Sequence, residues 1–90
     1  MTAFEFDQEK SKSNKEKHGI DFTRAKVLWD DPWRVIIPTR CTDEKIWLMV
    51  AEIESSCWTV IYTIRNERIR IISVRKARED EKAIYHGGRA

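Results

Sequence analysis

Between Arg65 and Arg78 the chain places Arg65, Arg68, Arg70, Arg75, Lys76 and Arg78 against Glu67 alone, a local charge of +5. Guanidinium groups stay protonated and present a rigid fork that fits phosphate oxygens, so this segment suits a polyanion. A second polar stretch, SKSNKEKH over residues 11–18, ends in His18. Histidine titrates near neutrality and is a natural general acid or base, although an imidazolium closing a helix is also favoured by the dipole alone. Lys10, Lys12, Lys15 and Lys17 read either as a solvated face or as charges that position phosphates. Tyr85 either packs in the core or offers a hydroxyl beside the arginines.

The rest of the composition narrows the chemistry. Ninety residues with a net charge of +2 fit one domain, 1–90, and nine aromatic residues argue for a folded one. The opening MTAFEFDQEK turns polar too early for a secretory segment, and no apolar run approaches the roughly 20 residues of a membrane span. Cys41 and Cys57 lack CxxC spacing, which suits reduced thiols and a cytoplasmic location. With His18 and His86 these cysteines match no short pair of zinc ligands. There is no glycine-rich phosphate loop, no nucleophile elbow and no carboxylate cluster for Mg²⁺, so no metal or cofactor is expected and a two-metal nuclease is disfavoured.

The elements that must position these groups follow from periodicity. Ala3 to Phe6 alternates as a short strand. Asp7 can cap a helix running to about His18, with Gly19 at its left-handed end. That helix is nearly all polar. Asp21 starts a second helix, with Phe22, Ala25, Leu28 and Trp29 on its apolar face, and Asp30-Asp31-Pro32 ends it. Strands follow at Trp33–Ile37, with Pro38 marking an edge, at Lys45–Ile53, at Cys57–Arg65 and at Arg68–Arg75. A last helix spans about Ala77 to Tyr85, and residues 86–90 read as a frayed tail. The sum is an α+β domain of order β-α-α-β-β-β-β-α with a mostly antiparallel sheet.

A two-residue loop at Asn66-Glu67 would pair residues 65/68, 64/69, 63/70, 62/71, 61/72 and 60/73. Val60, Tyr62, Ile64, Ile69, Ile71 and Ser73 would then share one face. Arg65, Arg68, Thr63 and Arg70 would share the other, with Ile61 and Ile72. Arg65 opposite Arg68 is a like-charge pair, costly by itself and more plausible with an anion among the arginines. The alternative is pairing with Glu67 or with Glu79-Asp80-Glu81.

Phe4-Glu-Phe-Asp7, Lys10, Asn14, Lys17-His-Gly-Ile20, Phe22, Ala25 and Asp31-Pro32, followed by Tyr62-Thr63, Arg65, Arg70-Ile-Ile-Ser-Val-Arg75 and Tyr85, resemble the BrnT toxins over nearly the whole chain. The N-terminal helix departs from them in lacking the usual apolar anchors. The resemblance implies a RelE-like fold and a ribonuclease that stops translation. Its implied partners are RNA, a cognate BrnA-like antitoxin and, only through that antitoxin, operator DNA. A metal-independent cut by the RNA's own 2′-hydroxyl would use Arg65 and Arg70 on the scissile phosphate, with His18, or else Tyr85, handling the proton. Lys17, Arg68, Arg75 and Lys76 would hold flanking phosphates. A binding module acting within a repressor complex would use the same basic face without cutting.

Overall fold

The alternating apolar residues of the second half of the chain build a sheet, and the first half wraps it. The computed structural model describes residues 3–39 and 45–87. In chain order these form β1 (Phe4–Glu5), α1 (Gln8–His18), α2 (Phe22–Ala25), a 3-10 helix (Lys26–Asp30), β2 (Val35–Pro38), β3 (Ile46–Ile53), β4 (Ser56–Arg65), β5 (Arg68–Lys76) and α3 (Glu79–Gly87). The domain is α+β, with a five-stranded mixed sheet in the order β1-β5-β4-β3-β2. β1 runs parallel to β5, and the other pairings are antiparallel. Cys41 and residues 88–90 lie outside the described residues.

Two helices differ from their expected spans. The second stops being α-helical at Ala25 and tightens into the 3-10 helix. Phe22, Ala25 and Leu28, all fully buried, recur every third residue, which is the 3-10 repeat. The last helix starts at Glu79 because Ala77 still belongs to the sheet, its N–H donating to the Cys57 carbonyl at 3.1 Å. Glu81 then reaches back to accept the Arg78 N–H at 2.8 Å, one half of a capping box. His86 and Gly87 continue this helix rather than fraying. β2 begins at Val35 because the Trp33 N–H donates to the Asp31 carboxylate in the preceding turn.

The β4–β5 hairpin turns through Asn66 and Glu67, with φ of 51° and 64°, a two-residue loop whose twist matches its strands. The expected register holds from Arg65↔Arg68 to Tyr62↔Ile71. Beyond that it shifts, so that Ile61 faces Ser73 and Val60 faces Val74. The irregularity is a β-bulge with Ile72 as the extra residue, and the 61/72 and 60/73 pairings do not form. Its effect is a change of phase. Val74, not Ser73, enters the core with Ile71, and Arg75 emerges on the face that carries Arg70.

One face of the sheet packs Met49, Ala51, Ile53, Trp58, Val60, Tyr62, Ile71 and Val74 against Phe22, Ala25 and Leu28. Edge-to-face contacts of Trp29 with Phe4 and Tyr62 tie β1 to that core. On the other face α3 covers only part of the sheet, where Tyr85 packs with Val50, Cys57 and Ala77. The rest of that face, around Thr63, Arg65, Arg70 and Ile72, is a groove.

Candidate functional site

Helix α1 reaches the sheet through polar groups rather than apolar anchors. Asp7 caps its start by accepting from the N–H groups of Glu9 and Lys10 at 2.8 and 3.3 Å. Ser11 Oγ accepts the Phe22 N–H at 2.9 Å. Asn14, 6 % exposed, donates from Nδ2 to the carbonyls of Ile20 and Val74 at 2.8 and 2.9 Å. Its Oδ1 accepts the Val74 N–H at 3.2 Å. β1 pairs only with Ile69 and Arg70, so beyond it this one amide serves as the neighbouring strand for β5. Gly19 ends the helix at φ 81° and leaves His18 exposed on the last turn.

This anchoring places α1 beside two adjoining grooves. One, of about 250 Å³, is lined by Lys10, Thr63, Arg65, Arg70 and Ile72. The other, of about 190 Å³, is lined by Lys10, Ser13, Asn14, Lys17, His18, Phe22, Ile72 and Ser73. They meet at Lys10 and Ile72, the bulged residue. No acidic side chain is among the described residues that line them. A surface of this make-up attracts an anion, and its two arms favour an extended one.

The expected site residues thus divide. Arg65 and Arg70 share one groove, while Lys17 and His18 share the other. Arg68 is exposed at the hairpin tip, paired across the strands with Arg65. Arg75 faces the same side as Arg70 but is taken up by α3. Its guanidinium donates to both Glu81 oxygens at 2.8 and 2.9 Å, a pairing with the acidic start of α3 that sequence weighed for the other arginines. Glu81 also accepts the Thr59 hydroxyl at 2.9 Å. Arg75 foremost, then the Arg78 N–H and Thr59, hold this carboxyl at about 2 against the cost of burial.

Lys76 and Tyr85 line neither groove. The Lys76 ammonium sits 5.4 Å from the Trp58 ring centroid at the far end of β5. Tyr85 is 1 % exposed and donates its hydroxyl to Asp31 Oδ2 at 2.6 Å. The same oxygen accepts the Glu52 N–H at 2.9 Å, so Asp31 clasps α3 to β3. Cys57 is a buried free thiol, and burial pushes it above the usual thiol range, away from the reactive thiolate.

Sequence reasoning named Lys10 only together with Lys12, Lys15 and Lys17, and placed Thr63 and Ile72 on the arginine face without a groove. One signal was present. Arg68 and Arg70 occupy even positions and Arg75 an odd one, and such a phase change within one strand marks a bulge.

A small α+β domain with a basic groove beside a histidine has the make-up of a surface that attracts anions. Residues 6–81 match the family described as ribonuclease toxin, BrnT, of type II toxin-antitoxin system, and the chain belongs to that family. Membership carries with it an RNA substrate and an antitoxin partner. Among curated proteins no relative matches it. No helix among the described residues is long and apolar enough to cross a membrane.

Proposed function

We propose that this chain is an endoribonuclease that cuts RNA in the paired grooves, stops translation in the cytoplasm and is neutralised by a BrnA-like antitoxin. The observation that carries this reading is the meeting of the Arg65–Arg70 groove with the Lys17–His18 groove. In the proposed reaction the substrate's O2′ forms a bond to the adjacent phosphorus while the bond from phosphorus to O5′ breaks. The products end in a 2′,3′-cyclic phosphate and a 5′-hydroxyl. One proton leaves O2′ and one is gained by O5′, and His18 handles one of these transfers. Arg65 and Arg70 hold the phosphate and the negative charge that grows on its outer oxygens, a kind of contact worth about 10²–10³-fold in rate per donor.

Lys17 and Arg68 hold flanking phosphates. Arg75, Lys76 and Tyr85 have structural partners and take no direct part. The order of helices and strands is compatible with a RelE-like fold. In this reading, operator DNA is contacted only through the antitoxin.

The test is purified protein on a defined single-stranded RNA with EDTA present. Cleavage that leaves 2′,3′-cyclic phosphate ends and disappears in His18→Ala or Arg70→Ala is the expected result. Cleavage unchanged in both folded variants would move the chemistry elsewhere.

A further inference from the structure

We infer that Lys10 is a substrate-binding residue at the junction of the two grooves, contacting adjacent phosphates of one RNA strand as the strand passes from Arg65 and Arg70 toward Lys17 and His18. This rests on the RNA-cleaving reading above. It adds a residue and a path for the strand.

Four lysines lie on α1, and sequence could not separate them. Their surroundings do. Lys10 lines both grooves, Lys17 lines one, and Lys12 and Lys15 line neither. Lys10 and Lys17 are seven residues apart, which brings them to one helix face, the face that carries buried Asn14.

The backbone beneath Lys10 is pinned on both sides. Its own N–H is held by Asp7, and the next residue, Ser11, is tied to Phe22. Only the side chain loses freedom when a ligand arrives, which lowers the entropic cost of binding.

The chemistry fits the position. An ammonium is a compact point charge with three donors and no fixed fork, suited to reaching oxygens of two neighbouring phosphates. The arginine fork suits the single phosphate at the reacting centre. Beneath the junction Ile72, the extra residue of the bulge, lines both grooves and offers an apolar surface for the sugar between the two phosphates.

The experiment compares the parent with Lys10→Gln, Lys10→Arg and Lys12→Gln, the last as a control for charge lost from the same helix. Binding uses an RNA oligomer carrying a 2′-deoxy substitution at the cleavage position, titrated across salt concentrations, so it needs no turnover. In Lys10→Gln the salt slope falls by about 1 and affinity falls ~10-fold, while Lys10→Arg keeps the parent slope. On cleavable RNA, kcat/KM of Lys10→Gln falls about 10–100-fold. Lys12→Gln stays within about twofold of the parent in both assays. If Lys10→Gln behaves as Lys12→Gln does, the assignment is overturned. Arg70→Ala is run beside them. If it binds and cleaves as the parent does, the groove reading itself fails, whatever Lys10 does.

Discussion

Arg70 and Arg75 stand on one strand and, because of the bulge between them, on one face of it. Their surroundings have little in common. Arg70 lines a groove with Lys10 and Arg65, where no carboxylate answers it among the lining residues. Arg75 is locked by two bonds to a buried carboxylate that is further held by Thr59 and the start of α3. The difference teaches that charge along a strand says nothing about availability. What decides it is how far α3 extends across the sheet. The helix reaches the end of β5 and stops short of the hairpin tip, so the same residue type acts as a clasp at one end and lines a groove at the other.

Exchanging the two arginines for alanine is the sharpest way to break this comparison. Arg70→Ala should lower RNA cleavage by about 10²–10³-fold and leave the unfolding midpoint nearly unchanged. Arg75→Ala should do the reverse. It strands the buried Glu81 carboxylate, costs about 3 kcal/mol in denaturant unfolding and keeps activity per folded molecule. Equal activity losses in both would abolish the distinction between the two ends.

Asn14→Asp tests whether the groove depends on α1. The substitution keeps the shape but turns a carboxylate toward the carbonyls of Ile20 and Val74, at a cost of about 3–4 kcal/mol. Cleavage should be lost at temperatures where α3 and the Arg75–Glu81 pair remain folded. Hydrogen exchange would see protection fall in α1 before α3.

The Arg75 end has a pH signature. Glu81 is held at about 2, below its ordinary 4.5, so its contribution is complete above pH 4.5 and fades as pH falls toward 2. The contribution is about 3 kcal/mol, and denaturant midpoints measured across this range should register the loss. Arg75→Ala should flatten that acid limb. The smallest effect is Gly19→Ala. No atom lies within 4 Å of the added methyl, so its cost of about 1–2 kcal/mol is conformational only. A larger loss would mean that the end of α1 near His18 is held by more than its backbone.

Much of this arrangement could be read from residue order. The caps at Asp7 and Gly19, the Asn66-Glu67 turn and the register as far as Tyr62 all follow from local chemistry. The bulge escaped because Ile71-Ile72 reads as an unbroken apolar run, and either isoleucine can face the core. The anchoring of α1 escaped for another reason. Ser11 and Asn14 are polar, and nothing in the sequence shows that their partners are backbone groups of residues 11 and 60 positions away. Tyr85 and Arg75 were read as site residues because type and spacing cannot reveal a partner such as Asp31 or Glu81. In the site itself, the arginines and His18 were legible as types, and their division between two grooves was not.

The parallel pairing of β1 with β5 and the Asn14–Val74 bonds join segments some 60 residues apart in the chain. A groove walled by Lys10 on one side and by Arg65 and Arg70 on the other has no existence in a partial chain. Loop closure across some 60 residues comes late, after the local β4–β5 hairpin has formed. The basic groove is therefore assembled only once β5 has joined α1. A nascent chain on the ribosome, surrounded by RNA, stays without it until β5 has been made and has cleared the exit.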